Sequence, residues 1–190
     1  MSAPPEEVSN QEYRSAQASL ITDEIGVYAL CDLDEVPIYV GQSTAGIRTR
    51  VRRHLTSARS DVIANRQLDV WEVAYVWGWP VEAKDRIDTL EAFMFHRFHS
   101  KSPLMNGSIP TKPPQLGFKM PTRQRIQIME DEEIETRKDP AFRLPRQAEH
   151  FVRLIDHILN VKDSPELRLS LMAHFNRLSV YYQRFLQVDS

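Results

Sequence analysis

Two tyrosines (Tyr28 and Tyr39), an arginine and a histidine (Arg50 and His54) and one glutamate (Glu91) are side chains whose types and order could do chemistry together. Hydrolysing a phosphodiester needs a base for the attacking water, positive charge for the phosphorane-like transition state and help for the departing oxygen. A tyrosine hydroxyl, with an ordinary pKa of about 10, could serve as the base only if activated. Arg50 and His54 are four residues apart, so on a helix they share a face. Glu91 offers a lone carboxylate, with no second acid expected beside it. Such a site would hold Mg2+ (or Mn2+) loosely, with waters and substrate oxygens completing an octahedral shell.

The elements that must position these groups follow from the residue pattern. Gly26-Val27-Tyr28-Ala29-Leu30-Cys31 is an apolar run suited to a buried strand. Asp32 to Glu35 turns the chain, and Ile38-Tyr39-Val40-Gly41 returns it as the second strand of a hairpin. The two tyrosine hydroxyls can then converge on one face, and Gly41, lacking a Cβ, lets a phosphate or a helix approach closely. Ser43 or Thr44 can cap a helix that begins near Gly46 and carries the arginines. A third strand is expected from Val70 to Trp77, stopping at Gly78-Trp79-Pro80. From Ala83 to His99, Ile87, Leu90, Phe93, Met94 and Phe98 recur at helical spacing and place Glu91 on that helix.

Taken in order, the motifs Gly26-Val27-Tyr28, Tyr39-Val40-Gly41, Arg50 with His54, Glu91 and Asn106 resemble the GIY-YIG nuclease superfamily, with valine in place of isoleucine in both tripeptides. The resemblance covers about residues 24–107 and rests on these five features in this order. It implies a metal-dependent endonuclease acting on DNA with one divalent ion, of the restriction or phage-defence kind. It assigns the general base to Tyr28, with Tyr39 as a positioning group or alternative base, and charge stabilisation to Arg50. His54 would orient the water or a tyrosine hydroxyl, Glu91 would bind the metal, and Gly26, Gly41 and Asn106 would support the site. Some members of the family use a nearby lysine, whereas here the first lysine is Lys84, so activation falls to Arg50, His54 or a metal-bound water. The alternative is a catalytically inactive module of the same fold that binds nucleic acid or protein.

The expected architecture is α+β, a small three-stranded antiparallel sheet flanked by helices, with a C-terminal helical hairpin. Its expected divisions are a tail and short helix over 1–22, the nuclease-like domain over 23–107, a proline-rich and acidic linker over 108–145, and the hairpin over 146–190. The hairpin helices are expected at 146–161 and 164–187, with Phe151, Leu154, Ile155, Ile158 and Leu159 lining one and Leu171, Phe175, Leu178, Tyr182 and Phe185 the other. Both stripes require a partner surface, either the nuclease-like domain or a second copy, which would make a homodimer.

Composition sets the remaining bounds. A single cysteine, Cys31, within an apolar run excludes a disulfide framework and multi-thiolate zinc sites. The acidic, proline-bearing start lacks the form of a secretory signal, and no apolar run approaches the ~20 residues of a membrane span. A cytoplasmic setting is therefore expected. The net charge of −2 does not suggest a nucleic-acid partner by itself, but it is unevenly distributed. No acid separates Glu35 from Asp61, and Arg48, Arg50, Arg52, Arg53 and Arg59 all fall in that gap. Arginine's planar fork suits phosphate oxygens, so Arg48, Arg52, Arg53 and Arg59 are the candidate DNA contacts.

Overall fold

The computed structural model describes residues 5–56 and 64–188. Its first helix, α1 (Pro5–Ser19), leads into the hairpin of β1 (Gly26–Cys31) and β2 (Pro37–Ser43). Helix α2 (Ile47–Thr56), a 3₁₀ turn (Val70–Glu72), β3 (Tyr75–Pro80) and α3 (Ile87–His99) follow. Then come β4 (Gln124–Gln127), α4 (Asp131–Lys138), α5 (Pro140–Asn160) and α6 (Pro165–Val188). The architecture is α+β, and no helix is long and apolar enough to cross a membrane.

The sheet among the described residues has four antiparallel strands rather than three, in the order β2-β1-β3-β4. The added strand, Gln-Arg-Ile-Gln, lies inside the expected linker and pairs Tyr75 with Gln127 through Gly78 with Gln124. With a single apolar residue it carries no alternation to betray it. The third strand also starts later than expected. Asp69 accepts from the Trp71 amide at 3.2 Å and turns Val70–Glu72 into a 3₁₀ helix, so Gly78, Trp79 and Pro80 fall inside β3 instead of ending it.

The rest of the linker also holds regular structure, α4 and the first residues of α5. Asp139 caps α5 by accepting from the Ala141 amide at 2.8 Å, and Pro140 follows at the first helical position, where a missing N–H costs nothing. The helix therefore begins six residues before the expected 146. At the other end of the chain, α1 includes residues that were expected to form a loose tail.

Each face of the sheet carries its own core. Val27, Ala29, Cys31 and Val40 pack under α3 through Ile87, Leu90, Met94 and Phe95. Tyr28, Leu30 and Val76 pack on the opposite side with Ile47 and Val51 of α2 and with Ala18 and Ile21. Strand alternation thus sends Tyr28 to the α2 side and its neighbours to the α3 side.

The C-terminal helices have a small apolar seam of Leu154, Ile158 and Leu167. Much of their expected stripe is not buried: Leu159, Phe175, Tyr182 and Phe185 are exposed. A buried polar network fixes the hairpin to the sheet instead. Asp32 Oδ1 accepts from the Asp34 and Val36 amides at 3.0 and 2.8 Å and so shapes the β1–β2 turn. Its Oδ2 pairs with Arg177 and accepts from the Tyr181 hydroxyl at 3.0 Å. Arg143 binds Glu72 at 3.2 and 3.0 Å and Asp34 at 2.7 Å.

Candidate active site

Register brings the two tyrosines together. Tyr28 lies opposite Gly41, and Leu30 lies opposite Tyr39, so both phenols rise from the α2 face of neighbouring strands with ring centroids 6.3 Å apart. The Tyr28 ring crosses directly over Gly41, where a Cβ would meet its hydroxyl at 2.5 Å and the Tyr39 ring at 2.9 Å. The glycine makes room for a tyrosine of its own sheet, and the expectation that it admits a phosphate or a helix is corrected. Gly26, with φ of 155°, lies across from Pro80 at the start of β1.

Helix α2 supplies the next two groups from one face. His54 is 2 % exposed, and its Nε2 lies 2.7 Å from the Tyr28 hydroxyl. Its ring also meets the edge of Tyr39, with centroids 5.6 Å apart. The Arg50 charge pulls the Tyr28 pKa down, against the stronger effect of burial. It pulls Tyr39 in the same direction. The Tyr28 hydroxyl thus lies against His54 Nε2 and within the field of the Arg50 guanidinium.

Burial opposes the Arg50 charge. Tyr28 is 0 % exposed, and burial holds its hydroxyl well above the ordinary value. The half-buried Tyr39 is raised more moderately, first by burial and then by the Glu91 charge, with Arg50 pulling the other way. Of the two, Tyr39 is the hydroxyl within reach of solvent.

Glu91 comes from α3, the helix on the other side of the sheet. Helix α3 lies along β2, the edge strand, and the Glu91 charge is felt by both Tyr28 and Tyr39. The carboxylate is half-buried; burial raises its pKa, a hydrogen bond from Gln42 Nε2 at 2.9 Å lowers it, and the Asp88 charge raises it. Asp88, one turn before Glu91, overturns the expectation that no second acid stands nearby: the same Gln42 nitrogen donates to its Oδ1 at 3.0 Å. No ion pair joins Arg50 to Glu91 among the described residues. Hard carboxylate oxygens on a half-open helix face suit a divalent ion that keeps most of its waters. Among the described residues no three His, Cys, Asp or Glu side chains surround a closed metal site.

Asn106 acts through the edge of β2. Its Oδ1 accepts from the Val40 amide at 3.0 Å and its Nδ2 donates to the Val40 carbonyl at 2.6 Å, so one side chain stands in for a neighbouring strand beside Gly41. The remaining arginines differ in their surroundings. Arg48 donates to the Ile21 carbonyl at 2.7 Å and lies 3.8 Å from Asp23. Arg52 lines a cavity of about 500 Å³ with Arg14 and Arg137, and Arg53 is exposed. Arg59 lies outside the described residues.

Two residues of this pocket were not among those singled out from the sequence, Gln42 and Asp88. Each had a visible signal: Gln42 directly follows the second tripeptide, and Asp88 precedes Glu91 by three, the spacing of one helix face. No protein-family model, curated protein or solved structure matches the chain.

Proposed function

We propose that the chain is a metal-dependent endonuclease that hydrolyses DNA phosphodiester bonds at the site formed by Tyr39, Arg50 and Glu91. The observation that carries this reading is the gathering of Tyr28, Tyr39 and His54 on one face of the sheet, with the Tyr28 hydroxyl 2.7 Å from His54 Nε2 and both phenols within the fields of Arg50 and Glu91.

Tyr39 is the group that takes the proton of the attacking water, because it is the more accessible tyrosine and the one whose pKa burial raises less. Tyr28 stays protonated and acts through Tyr39. Arg50 offers its guanidinium to the phosphate as charge builds there. Glu91 would hold a divalent ion, which when bound polarises the phosphate. Two copies joined through the exposed apolar face of α5 and α6 would cut both strands, and light scattering tests that association.

Burial of Tyr28 also supports a second reading, in which the fold binds nucleic acid without cutting it. Incubating the protein with supercoiled plasmid and Mg2+ separates the two. Nicked or linear product that disappears in Glu91→Ala supports the nuclease. Salt-sensitive DNA binding with no cleavage under Mg2+ or Mn2+ supports the binding module. Cleavage that survives Glu91→Ala refutes the site.

A further inference from the structure

Gln42 sits where the two halves of the pocket meet. It follows Gly41 on the edge strand, and alternation turns its side chain away from the tyrosines toward α3. Its amide nitrogen carries two hydrogens, and each has a carboxylate to receive it, Asp88 Oδ1 at 3.0 Å and Glu91 Oε2 at 2.9 Å. Asp88 and Glu91 therefore stand side by side on one face of α3, fixed to the sheet by a single neutral group.

We propose that Gln42 is a positioning residue that aims Glu91 for a divalent cation while leaving the negative charges of Glu91 and Asp88 intact. This rests on the reading of Glu91 as the metal-binding group. A lysine or arginine at this position could make the same two bonds, but its charge would cancel part of the field that attracts the cation. The amide supplies orientation alone. Partners of this kind, one step removed from the ion, change metal affinity by roughly 10–100-fold when replaced. The two carboxylates differ in their freedom: Asp88 is exposed and Glu91 half-buried, so the amide fixes chiefly the orientation of Glu91.

The test uses the full chain without DNA, titrated with Mn2+ and followed by the paramagnetic resonance of the free ion, with thermal melting as a check on the fold. Wild type takes up one ion. Gln42→Met keeps the side chain's shape and removes both donors, and its affinity falls by roughly 10–100-fold. Gln42→Lys keeps the donors and the tether between strand and helix, and loses the ion while melting like wild type. Asp88→Asn, at an exposed position, weakens uptake severalfold. A purely structural tether predicts the reverse for lysine, with Mn2+ uptake as in wild type, and that result overturns the proposal. So does unchanged affinity in Gln42→Met or in Asp88→Asn, or a wild type that binds no Mn2+. Wild type that binds Mn2+ with these dependences but leaves DNA intact overturns the nuclease reading and leaves the role of Gln42 standing.

Discussion

Two assemblies of tyrosine, arginine and carboxylate side chains differ in how their charges are closed. In the network under the C-terminal helices, Arg143 is held by Glu72 and Asp34, Arg177 by Asp32, and the Tyr181 hydroxyl lies between the two guanidinium groups at 2.8 Å from each. In the pocket, Arg50 reaches Tyr28 instead of a carboxylate, and Glu91 is held by an amide. Identical residue types thus make a strut in one place and a site with charge to spare in the other. Burial follows the same division: Asp32, Glu72, Arg143 and Arg177 are all buried, whereas Arg50 and Glu91 are half-exposed. Residue type alone does not separate the two; the closing of the charges does.

The largest effects should come from the open assembly. Tyr39→Phe removes the proposed base and should lower the cleavage rate by roughly 10²–10⁴-fold, with the melting temperature little changed. Tyr28→Phe should cost less, since it removes the contact with His54 and leaves the Tyr39 hydroxyl in place. Equal losses, or a larger loss for Tyr28→Phe, would return the base to Tyr28. The pH profile adds a sign. A base acts in its deprotonated form, and burial holds both hydroxyls above their ordinary value, so the rate should climb with pH through the range 7 to 9. Tyr39→Phe should flatten that climb.

In the closed assembly the same kind of substitution should cost stability rather than rate. Arg143→Met removes the cation from Glu72, which is 3 % exposed. Breaking a buried pair from one side typically costs about 3–5 kcal/mol, because a charge is left without compensation. Urea unfolding should show a loss of that size, and adding Glu72→Gln should recover part of it. A loss below about 1 kcal/mol would mean that water reaches Glu72 and that the comparison between closed and open assemblies does not hold.

The sequence carried the two assemblies unequally. The residues of the pocket stand out because they recur at spacings set by the hairpin and by single helical turns, as with Arg50 and His54 or Glu91 on its apolar helix. The closed network left no such trace: Asp32 is 145 residues from Arg177 and 71 residues separate Glu72 from Arg143, so nothing local connects them. Strand β4 was missed for a related reason, since Gln-Arg-Ile-Gln gains its place from β3 and not from its own pattern. The C-terminal helices were legible from their apolar periodicity, but the sequence assigned their attachment to the apolar stripe. Two buried arginines of those helices, Arg143 and Arg177, do much of that work. Gly41 was recognised, but the ring that requires it lies on the adjacent strand, and only register reveals it.

A smaller effect distinguishes a third polar contact at the base of the same helices. His174 donates from Nε2 to the Gln67 carbonyl at 3.0 Å and lies tilted beside His150, with ring centroids 4.7 Å apart. Its Nδ1 is buried without a hydrogen-bond partner among the described residues. Burial, and then the neighbouring His150, hold its pKa down to about 4 against 6.5 for the free side chain. Because the folded value is the lower one, the unfolded chain binds the proton first as the pH falls. The stabilisation is complete above about 6.5 and drains away toward pH 4, by about 3 kcal/mol for a shift of this size. His150 is also lowered, chiefly by burial, and adds in the same direction. Urea unfolding at pH 7 and pH 4.5 should show this decline. In His174→Gln, whose amide can still donate to the Gln67 carbonyl, the decline should be shallower.

The smallest effect belongs to a surface ion pair with two-point geometry. Arg125 binds Glu35 through Nε at 2.6 Å and Nη2 at 2.9 Å, a two-point contact on the edge strand, and Trp77 Nε1 donates to the same carboxylate at 3.0 Å. Both partners remain partly exposed, so water screens the attraction, and exposed pairs contribute about 0–1 kcal/mol. Arg125→Ala should therefore lower unfolding stability by less than about 1 kcal/mol and leave the cleavage rate unchanged. A loss as large as that of Arg143→Met would show that two-point geometry, and not burial, sets the strength of these contacts. The distinction between the buried network and the open pocket would then have to be drawn from geometry alone.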